Sequence, residues 1–198
     1  MPNTESSAAA DVDRLDRDRS LLLVVDIQEK LAPYIHERDA LIARVEALLG
    51  AARTFGVPCV LTEHCADQIG PVVRRLCDRF AANEIFAKTC FGALDHREFE
   101  PLVRGFARTQ VVVAGMEAHV CVLQTVLGLI AHGFRVYVAG DAVGSRAARQ
   151  ADRSFALERM RRAGATVAGT ETLLFEWTRS GDDAAFRDVL TLVKRLPD

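Results

Sequence analysis

No two cysteines in this sequence are spaced C-x-x-C, and the five present, at 59, 65, 77, 90 and 121, are an odd number. That argues against a zinc knuckle or a dithiol redox pair and for free thiols in a reducing compartment, so a cytoplasmic location is expected. No apolar run reaches the roughly 18 residues that would span a bilayer. Neither sign of charge dominates: 25 Lys and Arg face 27 Asp and Glu, a net charge of −2. Such a balance leaves no electrostatic footprint for nucleic acid or an anionic membrane. The stretch DIQEKLAPY contains no glycine, so no phosphate-cradling loop follows the first apolar segment, which counts against a nucleotide binder. The opening MPNTESSAAADVDRLDRDRS lacks the basic-then-apolar order of a secretory signal. Residues 1–19 are expected to form a flexible polar arm, with a short amphipathic turn near 12–15.

What remains, with 49% hydrophobic and 26% charged residues in a chain of 198, suits one globular domain over 20–198. LLLVVDI at 21–27 is a continuous apolar run, the pattern of a strand covered on both faces. Residues 39–55 then place Leu41, Ile42, Val45, Leu48 and Leu49 at helical spacing before Gly56. Further strands are predicted at 58–63, 85–89, 109–115, 135–142 and 165–170. Helices are predicted near 72–79, at 97–108, after 115 up to Gly133, from an N-cap at Ser145 to Arg162, and near 171–177 and 183–194. Alternation of this kind predicts an α/β fold of three layers, α/β/α, doubly wound on a six-stranded, mostly parallel sheet. An eight-fold barrel would need more chain.

In such folds the site lies beyond the carboxyl ends of the strands, where strand order reverses. Asp26 ends the first strand, Glu63 and His64 the second, Lys88 the third, Gly115 the fourth and Asp141 the fifth. Cys121 follows the fourth strand within about one turn of a helix N-terminus. Unpaired N–H groups and a nearby Lys88 are expected to favour its thiolate, and Asp26 could accept its proton. The backbone N–H groups there could also stabilise an oxyanion. His119 is two positions away and is expected to point elsewhere, as a surface or lining residue. Asp141 is either a cap or an orienting neighbour of the site, and Gln28 and His119 are further candidates for that surrounding role. Cys59, Cys65, Cys77 and Cys90 read as packing residues, with Cys90 close enough to Lys88 to line the site. Phe175 and Trp177 read as core or a subunit contact.

LLLVVDIQEKL, FAKTCFGAL and VVVAGMEAHVCVLQTVLGLIAHGFRVYVAGDAVGSR, in that order, resemble the three motifs of the isochorismatase-like, or cysteine hydrolase, superfamily. The resemblance covers roughly residues 20 to 195. It implies a triad of Asp26, Lys88 and Cys121 and a strand order 3-2-1-4-5-6. It also implies a cis peptide at Met116–Glu117 that would aim the N–H groups of Glu117 and Cys121 at an oxyanion. The zinc-binding nicotinamidase branch carries Asp-x-His after strand two and a further histidine. This chain has TEHCADQIG there. Adjacent Glu63 and His64 point to opposite faces of a strand and chelate poorly, so no metal and no other cofactor is expected. Enzymes that act on the vinyl ether of isochorismate generally lack the cysteine, so Cys121 favours acyl transfer.

The expected function is therefore cysteine-dependent hydrolysis of a small amide-like substrate, at its C–N bond, through a thioester. The alternatives are a non-amide hydrolase on the same fold or a catalytically silent binding or scaffold protein. A small-molecule substrate and a homo-oligomer, dimer or larger, are the expected partners, with no nucleic acid and no membrane.

Overall fold

The apolar run after Arg19 becomes the central strand of a sheet because both of its faces are covered: every residue of β1 (Ser20–Val25) is buried. The structure, a computed structural model, describes residues 14–197. Five more strands follow: β2 (Cys59–His64), β3 (Ile85–Lys88), β4 (Gln110–Met116), β5 (Arg135–Gly144) and β6 (Thr166–Ala168). They form one sheet in the order β3-β2-β1-β4-β5-β6, parallel in every pairing. The order and the layers are those the sequence predicts.

The two-residue period of the strands divides the core. Leu22, Val24, Leu61, Val112 and Tyr137 pack on one side with α1 (Arg38–Phe55), α7 (Thr170–Thr178) and α8 (Phe186–Val193). Leu21, Leu23, Val60, Val111, Val113 and Val138 pack on the other with α4 (Phe99–Gly105), α5 (Leu123–Ala131) and α6 (Gln150–Arg162). Two single-turn helices, α2 (Ala66–Ile69) and α3 (Arg74–Cys77), cover the approach from β2 to β3. Gly56 ends α1 in the left-handed region at φ 67°, as its place after the periodic stretch predicts. Trp177 is fully buried, and its indole N–H donates to Ser20 Oγ at 2.9 Å.

Three expectations change. Residues 1–13 of the predicted arm, with the start of its amphipathic turn, lie outside the described residues, but 14–19 are docked. Leu15 is buried, its N–H donates to Glu176, and Arg17 pairs with Asp183 at 2.6 Å. An apolar anchor and an ion pair outweigh the polar composition. Ser145 does not cap a helix: α6 starts only at Gln150, after a 3-10 turn, and the Ser145 hydroxyl bonds His119 instead. Cys77 is exposed rather than packed.

Gly115 matters most for the site. It adopts φ +131°, and a Cβ there would meet the Val25 carbonyl oxygen at 2.1 Å. Only glycine lets β4 approach the end of β1 so closely, next to Asp26. Gly115→Ala is expected to cost at least about 2 kcal/mol by urea unfolding, through backbone collision rather than lost packing. Wild-type stability in that variant would refute the close approach.

Candidate active site

Asp26 sits one residue past β1 in the left-handed region, φ 50°, a conformation that Asp tolerates better than most side chains. Its N–H donates to the Thr62 carbonyl on β2 at 3.1 Å, which fixes the turn. The carboxylate is then shared. Oδ1 accepts from Thr62 Oγ1 at 2.7 Å, and Oδ2 accepts from Lys88 Nζ at 2.6 Å. Lys88 ends β3, two strands away, so its long side chain crosses over β2 to reach Asp26. Its remaining donors go to the carbonyls of Cys90 and Phe91 at 3.2 and 3.3 Å. Both side chains are sealed, at 0% and 1% exposure.

Cys121 lies across the strand-order reversal, in a π-helical turn over Ala118–Val122 that precedes α5. The Val122 N–H reaches back to the Glu117 carbonyl at 3.2 Å, the wide ring of that turn. The preceding peptide, Met116–Glu117, is cis, as the resemblance implies. The sulfur lies within 4.8 Å of an Asp26 carboxylate oxygen, and the residue is 6% exposed. Its pKa is raised well above the ordinary thiol range, contrary to the sequence expectation. Burial is the largest cause, the negative charge of Asp26 comes next, and Lys88 opposes them without winning. The lysine's charge is already matched by Asp26, and the helix begins late. Cys121 rests as a protonated thiol beside a carboxylate.

The candidates placed around these three residues divide. Gln28 is fully buried and holds His64 from both sides: its Oε1 accepts the His64 N–H at 2.8 Å, and its Nε2 donates to the His64 and Gly70 carbonyls. Asp141 belongs to the helix beyond it, accepting from Thr170 N and Oγ1, both at 2.8 Å, and pairing with Arg44. His119 turns to Ser145, 3.0 Å away. Glu117 is buried and accepts from the backbone N–H and Nε of Arg146, both at 3.0 Å. Glu63 accepts the Val72 N–H.

Two residues were not legible as parts of this cluster. Thr62 could have been found from its register, since it pairs with Val25 immediately before Asp26. His64 was placed at the end of the second strand but read as a poor chelator beside Glu63, and Gln28 fixes its backbone. A ring nitrogen of His64, a carboxylate oxygen of Asp26 and Cys121 Sγ lie within 4.8 Å of one another. Among the described residues these three form the metal-capable grouping. The Asp-x-His pattern of the zinc branch is not matched by TEHCADQIG, so this grouping is not that branch's ligand set.

A parallel sheet in this order, with a buried acid, lysine and thiol at its switch point, defines a doubly wound α/β/α protein with a candidate site where the strand order reverses. Residues 20–172 match the isochorismatase domain, and the chain belongs to the isochorismatase family, with that family's hydrolase fold. It is 33% identical to mouse isochorismatase domain-containing protein 2A, over 98% of this chain and 92% of that one. A MAR1 ribonuclease from Caenorhabditis elegans superposes with a TM-score of 0.86 at 34% identity, covering 94% of this chain and 95% of that one. YcaC from Escherichia coli, an octameric hydrolase of unknown specificity, superposes with a TM-score of 0.85 at 29% identity, covering 92% and 90%.

Two outcomes test this geometry. Lys88→Met strands a buried carboxylate and is expected to destabilise by about 3–5 kcal/mol, whereas Asp26→Asn/Lys88→Met together cost less than Lys88→Met alone. Denaturant unfolding of the variants measures both, and additive losses would contradict the pairing. Secondly, the difference in thiolate absorbance between wild type and Cys121→Ala should stay near zero from neutral pH to beyond the ordinary thiol value of 9.0. Because folding raises this pKa, its contribution to stability is intact below that value and fades as pH rises towards the folded one. A thiolate signal at neutral pH would contradict the buried, proton-holding site.

Proposed function

We propose that this chain is a cysteine-dependent hydrolase of a small, amide-like substrate, acting at a C–N bond through a thioester. The observation that carries the reading is one carboxylate, Asp26, bound to Lys88 and Thr62 and lying within 4.8 Å of the Cys121 sulfur. That arrangement holds a base against the proton it would remove.

As Sγ attacks the carbonyl carbon, Asp26 takes the thiol proton and the carbonyl oxygen becomes an oxyanion. The N–H groups of Glu117 and Cys121, beside the cis peptide, are its proposed donors. Collapse of the intermediate breaks the C–N bond, and the departing nitrogen receives the proton from Asp26. Water then gives Asp26 a proton and attacks the thioester. Sγ leaves as the acid forms and recovers its proton. Lys88 holds Asp26 in place throughout, and Thr62 fixes the carboxylate plane. Gln28 positions the end of β2. The scheme needs no cofactor.

A raised thiol pKa suits this order of events, because the proton leaves only when an electrophile is in position. A homo-oligomer is part of the reading: Tyr34, Phe91 and Phe155 are 66%, 56% and 71% exposed, and the E. coli relative is octameric. We place the protein in the cytoplasm on the strength of its free thiols. No helix of the described residues is long and apolar enough to cross a membrane.

A panel of small neutral amides, imidates and carbamates is the test. Turnover should fall by about 10³-fold or more in Cys121→Ala. Acid-quenched wild type should carry an acyl mass that the variant lacks. Undiminished turnover in Cys121→Ala would refute the mechanism. RNA belongs in the same panel because the C. elegans relative is a ribonuclease, although a net charge of −2 offers phosphates little attraction.

A further inference from the structure

His64 is the residue of this rim that hydrolysis leaves unused. Its backbone is clamped by Gln28, and its ring lies against Phe91 with centroids 5.3 Å apart. Yet Nδ1 is shut off from solvent without a hydrogen-bond partner. A buried polar atom held in place with nothing to bond points to a missing ligand. The same ring has one nitrogen within 4.8 Å of both an Asp26 carboxylate oxygen and the Cys121 sulfur.

We propose that Asp26, His64 and Cys121 form a binding site for a soft divalent cation, Zn2+ or Cd2+, which reversibly switches the nucleophile off. Sulfur and imidazole nitrogen select such ions over Mg2+ and Ca2+, which prefer all-oxygen shells. Around a tetrahedral zinc, bonded sulfur and nitrogen atoms lie roughly 3.3–3.7 Å apart, given bond lengths of 2.0–2.3 Å. The three groups reach that spacing by side-chain rotation. Asp26 keeps Lys88 and Thr62 and offers a free lone pair, since a carboxylate accepts at about four positions. On binding, the S–H bond breaks, an S–metal bond forms and the proton passes to solvent. Thiolate and carboxylate offset the cation's two charges, leaving that of Lys88, and a water completes the shell. Sulfur bonded to metal cannot attack a carbonyl, and Asp26 no longer has a thiol proton to accept.

The ion here would sit on the nucleophile itself rather than on an Asp-x-His pair beside it. Binding rests on geometry alone. Only the inhibition rests on the hydrolytic reading.

The test uses the full chain, stripped with a chelator and titrated with Zn2+ against a chromophoric competitor. Cd2+ is added separately to read the sulfur-to-metal charge-transfer band. One equivalent per chain should bind, with release of a proton, and excess Mg2+ or Ca2+ should not displace it. His64→Gln and Cys121→Ala should each lose that equivalent and its band, whereas Cys77→Ser, at the exposed thiol, should keep both. Equal uptake by all three variants, or displacement by Mg2+, would overturn the site. Should His64→Gln not fold, the contrast of Cys121→Ala with Cys77→Ser decides. Cys121-dependent turnover that survives one equivalent of Zn2+ would sink the switch while sparing the hydrolase. A bound equivalent in a protein without amide turnover would do the reverse.

Discussion

The buried ion pair between Asp26 and Lys88 is the constraint on which the rest of the rim depends. Two charges taken out of water are stabilising only when their geometry is good and their remaining hydrogen-bonding groups are satisfied. Here they are. The ammonium reaches Asp26 and two backbone carbonyls, and the carboxylate takes Thr62 as well, with the Cys121 sulfur within 4.8 Å. Meeting those demands fixes the end of β1, the register of β2 beneath the lysine and the path of the chain through Cys90 and Phe91. The left-handed turn at Asp26 and the glycine at 115 follow from the same need, since both bring β1 and β4 close enough for the thiol to join.

Burial also decides the state of the thiol. A helix N-terminus and a nearby ammonium each favour thiolate, and the sequence carries both. In water-excluded surroundings the cost of a lone anion grows, while the ammonium's benefit is already directed to Asp26. The lysine is already paired with the carboxylate, so the sulfur holds its proton. The site stores a base and an acid side by side, not a free nucleophile.

The sheet was legible because each strand is a short run of β-branched and aliphatic residues, bounded by helical periodicity or by glycine, and because parallel topology puts functional residues at strand ends. That logic reaches Asp26, Lys88 and Cys121 with no contact information. It stops where a residue's role is set by a partner far along the chain. His64 reads as a poor chelator beside Glu63, and only Gln28, 36 positions away, turns it to the thiol. Ser145 reads as a helix cap until His119 claims its hydroxyl. Asp141 reads equally as cap or site until Thr170 takes it. The π turn has no periodicity of its own within five residues.

Charge pairing around the sulfur narrows what can be bound. Asp26 is neutralised by Lys88, and Glu117, whose charge is felt at the thiol, is neutralised by Arg146, itself 46% exposed. Among the described residues the cations that pair with these acids, Lys88 and Arg146, are already matched, and a second negative charge would meet Asp26 and Glu117 at short range in a low dielectric. A crevice of about 350 Å³ lined by Glu63, Asp67, Lys88 and His96 runs along the same rim and is acidic as well. On the hydrolytic reading proposed above, these charges favour a neutral substrate whose polarity resides in the bond to be broken, since the acids beside the sulfur are already paired with Lys88 and Arg146.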